Sequence, residues 1–260
     1  MPDITSRQHP LVKIFKAAAG NDHGRALLDG WHLLREAVDA GIAIETVLVA
    51  GRPTDDDAVL LDRVARDSQV LSVSTAVMDA ASPVRTPAGV VALARRRSWT
   101  LQDLLSPQPA LVVVAVDIQD PGNTGAIIRS AEAGAATGVV LAGASADAWN
   151  WKALRAAMGS TFRVPVLQQP DALAATASLR TAGIRLLATI PRDGASMYDL
   201  NFRAPTALLL GGEGAGLSLD LIESADDWLS IPMAGSVESL NVAVAAGVLV
   251  YEAQRQRTGA

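Results

Sequence analysis

LVVVAVDIQDPGNTGAIIRSAEAGAATGVVLAG, residues 111–143, decides how the fold is read. Residues 111–116 are apolar without alternation, the mark of a strand buried on both faces. Asp117 and a Pro121-Gly122-Asn123 turn follow, then a helix over about 123–135 that carries one cation in its interior, Arg129. Gly138 opens a second apolar strand. Strand, helix and strand in this order predict a parallel sheet with helices on both faces. The pattern continues outward through strands "VPVLQ" (164–168), "IRLLATI" (184–190), "ALLLGG" (207–212) and "WLSIPM" (228–233). Helices are expected near 150–158, 170–182 and 217–224, and over the closing "SLNVAVAAGVLVYEAQRQR".

The preceding part of the chain alternates too. "RALLDG", "ETVLVA", "VLSVS" and "GVVALARRR" read as strands, with helices in "WHLLREAVDAG" and "DDDAVLLDRVARDS". The acidic residues of the last segment lie where a helix dipole favours them. "SWTLQDLLSPQPA" interrupts the alternation with two prolines and reads as a linker. The expected organisation is a smaller α/β domain over 1–98, a linker over 99–109 and a parallel-sheet domain over 110–260.

Composition limits the function. Half of the 260 residues are hydrophobic and 19% are charged, as in a well-buried globular protein. No apolar run nears the ~20 residues of a membrane span, and the N-terminus lacks signal-peptide character. A soluble cytoplasmic protein is expected. The chain has no cysteine, which excludes disulfides, zinc-thiolate sites and thiol catalysis. Its three histidines sit in the first part, no histidine–carboxylate spacing points to a metal, and G-x-S-x-G and P-loop patterns are missing. The net charge of −5 argues mildly against nucleic acid. That charge is uneven: residues 1–97 balance 12 Lys+Arg with 12 Asp+Glu, and the acidic excess falls beyond them. The cations Arg7, Lys13, Lys16 and Arg25, and the run Arg95-Arg96-Arg97, are either ordinary solvated charge or the footprint of a polyanion.

Three turns at strand carboxyl ends draw attention, because ligands of open α/β sheets bind there. The first is 117–125. The second, "GGEGAGLS", holds Gly211, Gly212, Gly214 and Gly216 around Glu213. Glycines allow close backbone approach to a ligand such as an adenosine, or serve turn geometry alone. The third, "IPMAGSVESLNVAVA", offers Ile231 and Met233 as apolar walls, with Ser239 or Asn241 able to cap the last helix.

Taken in order, these stretches resemble the three motifs of the SpoU (TrmH) family of RNA ribose 2′-O-methyltransferases. The first motif matches at Asn123, Gly125 and Arg129, the second at Gly211, Glu213, Gly216 and Leu217. The third matches from Ile231 through Met233 and Gly235 to Ser239, Leu240, Asn241 and Val242. "KALRAAMGSTFRVPV" (152–166) looks like the family's segment between motifs one and two. Gly212 departs from the Asn, Ser or Ala of many members, and a small residue there is expected to leave cofactor binding intact. "LLDGWHLLREAVDAGIAIETVLVA" and "SPVRTPAGVVALARR" are similar to the accessory domain found before many catalytic domains of the family, which is related to RNA-binding ribosomal proteins of the kink-turn class.

The resemblance implies more than pattern reading. It implies a SPOUT-type parallel-sheet domain ending in a C-terminal trefoil knot, where periodicity alone points to an unknotted sheet. It implies S-adenosylmethionine as cofactor, held by Gly211, Gly212, Ile231, Met233 and Leu240, and no metal. Asn123, Arg129, Glu213, Ser239 and Asn241 would surround the transferred methyl and the incoming ribose. It further implies a homodimer. The accessory domain points to 23S ribosomal RNA as substrate; tRNA is the alternative within the class, and a catalytically silent RNA-binding relative is the rival outside it.

Overall fold

The computed structural model describes residues 3–20, 24–212 and 214–259 and divides into two units. The first comprises Met1–Ser98 and Trp149–Phe162, the second Trp99–Ala148 and Arg163–Ala260. No helix among the described residues is long and apolar enough to cross a membrane.

In the first unit α1 (Pro10–Ala19), β1 (Arg25–Asp29), α2 (Trp31–Asp39), β2 (Ile44–Val49), α3 (Asp55–Val64), β3 (Gln69–Ser72), α4 (Thr75–Ala81) and β4 (Val90–Arg95) follow one another. The sheet order is β1-β4-β2-β3, antiparallel except for the β2–β3 pair. Two of these helices, α1 and α4, were not expected. Both begin at recognisable caps: His9 Nδ1 accepts the Leu11 N–H before Pro10, and Ser74 Oγ accepts that of Val77. Their packing puts Phe15 and Val77 into one core with Leu27, Leu48 and Leu93.

The stretch expected to be a linker forms α5 (Leu101–Leu105). Thr100 and Asp103 make a reciprocal capping box, and Leu104 is fully buried against Gly138, where a Cβ would lie 2.3 Å from its Cγ. After α5 come β5 (Leu111–Val116), α6 (Pro121–Ala133) and β6 (Gly138–Ala142). The chain then contributes α7 (Trp151–Ala157) and a short 3-10 turn to the first unit. There Ala153, Leu154, Ala157 and Phe162 are fully buried, and Arg97 Nη1 donates to the Phe162 carbonyl at 2.9 Å. Residues 149–162, inside the span expected as the second domain, thus group with the first unit.

The second unit continues with β7 (Val166–Gln169), α8 (Ala172–Thr181), β8 (Arg185–Thr189), β9 (Ala195–Ser196), β10 (Thr206–Gly211), α9 (Leu219–Ser224), β11 (Asp227–Ser230) and α10 (Val242–Thr258). Its seven strands run in the order β7-β6-β5-β10-β8-β11-β9, every pair parallel, as the continuous apolar runs predict. Leu208 pairs with Val113 and Leu187, which seats the central strands in register. The expected strand 228–233 ends at Ser230, so Ile231 and Met233 leave the sheet. Helix α10 packs closely on α6: a Cβ on Gly134 would lie 2.3 Å from Val250 Cγ1.

Candidate cofactor and substrate site

Strands β8, β10 and β11 are neighbours, and the segments leaving their carboxyl ends enclose a cavity of about 560 Å³. Gly211 and Gly212 line it from β10, Ile231 and Met233 from β11, and Ser239, Leu240 and Asn241 from the approach to α10. All five residues expected to hold a cofactor thus share one cavity. Two expected catalytic residues, Ser239 and Asn241, open onto it as well. Glu213 lies outside the described residues.

The glycine turn closes on its own backbone. A Cβ on Gly211 would stand 2.2 Å from the Gly216 carbonyl carbon, and Gly216 N–H donates to the Gly212 carbonyl at 3.1 Å. Gly214 and Gly216 have φ of 93° and 66°, a region that favours glycine. A Cβ on Gly212 would meet the Asp117 carbonyl oxygen at 2.4 Å. Any larger residue at 212 therefore requires that approach to open. Asp117 itself has φ 58°, held by its Oδ1 accepting the Ala144 N–H at 2.7 Å. The same glycines meet the turn geometry and line the cavity.

Helix α6 starts at Pro121, two residues before the expected position, because Asp120 caps it through the Asn123 N–H at 2.8 Å. This places Asn123 in the first turn. Its Oδ1 accepts a hydrogen bond from Asn241 Nδ2 at 3.0 Å, joining the first and third motifs across 118 residues. Asn241 Oδ1 meanwhile accepts the N–H groups of Ala243 and Val244 and caps α10. The cap is Asn241, not Ser239. Ser239 is exposed and makes no hydrogen bond among the described residues.

Arg129 is exposed and makes no hydrogen bond or ion pair among the described residues. Its sequence neighbour at i+3, Glu132, is engaged by Arg163, whose Nη2 donates to Glu132 Oε2 at 3.0 Å.

Sequence reasoning missed the carboxyl end of β8. Thr189, Ile190 and Pro191 line the cavity, and Thr189 Oγ1 is buried without a hydrogen-bond partner among the described residues. No glycine marks this end, so the one available signal was its position at a strand terminus. Glu238 also lines the cavity and was not singled out.

Residues 110–251 match the family described as the SpoU rRNA Methylase family, and residues 19–92 match the MRM3-like substrate binding domain. An uncharacterized tRNA/rRNA methyltransferase of Synechocystis is 35% identical, aligned over 99% of this chain and 95% of its own length. The 23S rRNA (guanosine(2553)-2′-O)-methyltransferase RlmP of Bacillus subtilis is 33% identical, with 86% of each chain covered. Among solved structures, the SpoU methyltransferase AviRb from Streptomyces viridochromogenes in complex with AdoMet superposes with a TM-score of 0.87 at 32% identity, covering 96% of this chain and 99% of that one.

Proposed function

The chain belongs to the SpoU rRNA methylase family, and on that premise we propose that it transfers a methyl group from S-adenosylmethionine to a ribose 2′-hydroxyl of 23S ribosomal RNA. The observation that carries this reading is the cavity at the carboxyl edge of β8, β10 and β11, lined by residues of two of the three motifs. Its volume lies within the ~300–1,000 Å³ of small-ligand sites, and its apolar walls with exposed glycine backbone suit an adenosine. When bound, S-adenosylmethionine supplies a methyl made electrophilic by its sulfonium.

Gly211, Gly212, Ile231, Met233 and Leu240 hold the cofactor, the glycines through backbone groups. Asn123, Arg129, Glu213, Ser239 and Asn241 receive the ribose. The Asn241–Asn123 hydrogen bond supports a shared role, since it fixes one amide of the cavity wall to the helix that bears Arg129. Arg129 grips phosphate and orients the hydroxyl through its planar, two-pronged set of donors; a part in taking the hydroxyl proton stays open to it. The remaining work is to align hydroxyl and methyl, which positioning accelerates strongly, and to release the hydroxyl proton to solvent or substrate phosphate as the methyl would leave the sulfonium for the oxygen.

The first unit supplies RNA affinity, a role supported by its match to a substrate-binding domain. The protein acts in the cytoplasm as a homodimer, for which Val244 and Tyr251, two turns apart on α10 and 52% and 53% exposed, offer an apolar face. Sedimentation at micromolar concentration tests the dimer, and an active monomer contradicts it. The trefoil knot belongs to the same proposal, and a late strand, β10, lying between the earlier β5 and β8 is compatible with it.

Two measurements test the function. S-adenosylmethionine or its demethylated product at a hundredfold excess over Kd should stabilise the fold by ~2.7 kcal/mol, and NADH should not. Ribosomal RNA from a deletion strain should accept labelled methyl at one ribose. Methyl acceptance by tRNA alone would move the substrate to the other class.

A further inference from the structure

Helix α7 packs in the first unit and changes that unit's charge. Residues 1–98 hold 12 Lys+Arg against 12 Asp+Glu; with 149–162 included, the unit holds 14 against 12. The second unit is left with 8 against 15. The cationic surplus of the first unit is therefore Lys152 and Arg155 of α7.

These two residues are both exposed, and their spacing puts them on one face of the helix. Like charges so placed repel, and Lys152 stands in the first turn, where the helix dipole disfavours a cation. Neither side chain makes a hydrogen bond or ion pair among the described residues. What holds them is Trp151: Lys152 Nζ lies 5.5 Å and Arg155 Cζ 6.0 Å from the centre of its ring. A half-buried indole thus orders two long side chains that would otherwise lose their rotamer freedom on binding.

The cations that stand out along the sequence are engaged elsewhere. Arg25 and Arg95 share Glu45, Arg7 donates to the Ala76 carbonyl, Arg96 to that of Arg25, and Arg97 to those of Ala40 and Phe162. The run Arg95-Arg96-Arg97 therefore serves the fold. Lys13 and Lys16 of α1 are exposed and unpaired among the described residues, but no described ring orders them.

We propose that Lys152 and Arg155, ordered by Trp151, grip the sugar-phosphate backbone of the RNA substrate. A polyanion relieves their mutual repulsion and gives up its own counterions to them. The proposal rests on the ribosomal-RNA reading above. The contact comes from a helix inside the span 110–251 that matches the methylase family, not from the segment 19–92 that matches the substrate-binding domain.

Equilibrium binding of the full chain to 23S ribosomal RNA transcribed in vitro, titrated across salt, tests it. With Lys152→Gln and Arg155→Gln combined, affinity should fall about tenfold at about 0.15 M salt. The slope of log K against log salt should shrink by about 1.5, the release expected from two lost phosphate contacts. Lys152→Arg with Arg155→Lys keeps both charges and should keep the slope. Lys13→Gln with Lys16→Gln removes the same charge from the same unit and should weaken binding less than about threefold. In the first variant S-adenosylhomocysteine should bind as in wild type, and the unfolding midpoint should not fall, since a repulsion has been removed. Unchanged RNA affinity and slope overturn the proposal. So does an equal loss in the α1 variant, which would make the effect one of net charge, or a lowered midpoint in the α7 variant, which would make the pair structural. If wild type does not bind the ribosomal RNA, the ribosomal-RNA reading fails first and the proposal with it.

Discussion

Helix α10 ends in two opposite ways. At its C-terminal end Arg257 donates from Nε to the Phe202 carbonyl at 2.7 Å, from Nη1 to Pro109 at 2.6 Å, and from Nη2 to Ala110 and Ala204 at 2.9 Å. One turn earlier, Glu252 accepts from Arg255 and Gln256, and Gln256 reaches the Leu200 carbonyl. At the N-terminal end, Asn241 caps the helix and holds Asn123, but Ser239 bonds to no described residue, and neither does Arg129 further along α6. Thr189 Oγ1 is buried there without a partner. The same helix and sheet thus satisfy their polar groups at one edge and leave them open at the other. The difference separates groups that hold the fold from groups the fold leaves unbonded.

The comparison breaks first at Arg129 if it is wrong. Arg129→Ala should lower single-turnover methyl transfer by at least ~10²-fold, the scale of a preorganised electrostatic contact, with cofactor affinity and thermal midpoint unchanged. Arg129→Lys should recover little, because an ammonium lacks the two-pronged geometry. Wild-type rates in Arg129→Ala would return the residue to the helix surface.

Arg257→Ala should do the reverse. Loss of a charged donor serving four carbonyls should lower the unfolding free energy by about 2 kcal/mol, read by denaturant titration, without altering cofactor Kd in the folded protein. A stability change within error would mean that the C-terminal bonds are incidental.

Asn241 belongs to both categories and sharpens the contrast. Asn241→Ala removes a helix cap and should cost about 1 kcal/mol of stability while also slowing transfer. Asn123→Ala should slow transfer with little change in stability, because the Asp120 cap of α6 stays in place. Equal destabilisation by the two variants would show that their mutual hydrogen bond serves the fold alone.

The smallest effect concerns acid. The Arg255 guanidinium, with further help from Gln256, holds the Glu252 carboxyl below its ordinary 4.5 against the opposing effect of burial. A depressed carboxylate contributes stability that is complete above its unfolded value and lost as pH falls through the folded one. Glu252→Gln should therefore lose the carboxylate's whole contribution at pH 7, and its deficit against wild type should shrink as pH falls below about 4.5. An unchanged acid slope would remove Glu252 from the account.

How much of this was legible along the chain depended on distance in sequence. The parallel sheet could be read from runs such as Leu111–Val116 and Thr206–Gly211, because a strand buried on both faces shows itself in its own residues. The site could be located from Gly211, Gly216 and the Ile231–Val242 stretch, whose turn chemistry is local. Helix α5 escaped notice because it has only five residues, and its stability comes from Leu104 meeting Gly138. A helix near 150–158 could be expected, but nothing local says which core its buried residues join. Glu132 lay at i+3 from Arg129, while its true partner, Arg163, lies 31 residues on.

By itself, then, the sequence determined the type of sheet, the three turns and the residues that line them. Spacing and glycine placement act over a few residues and need no partner. Tertiary structure alone decided that Asn241 bonds to Asn123, that 149–162 packs with the first unit, and that Thr189 has a buried hydroxyl with no described partner. Whether a polar group is satisfied depends on what distant chain is brought within about 3 Å of it, and no local pattern encodes that distance.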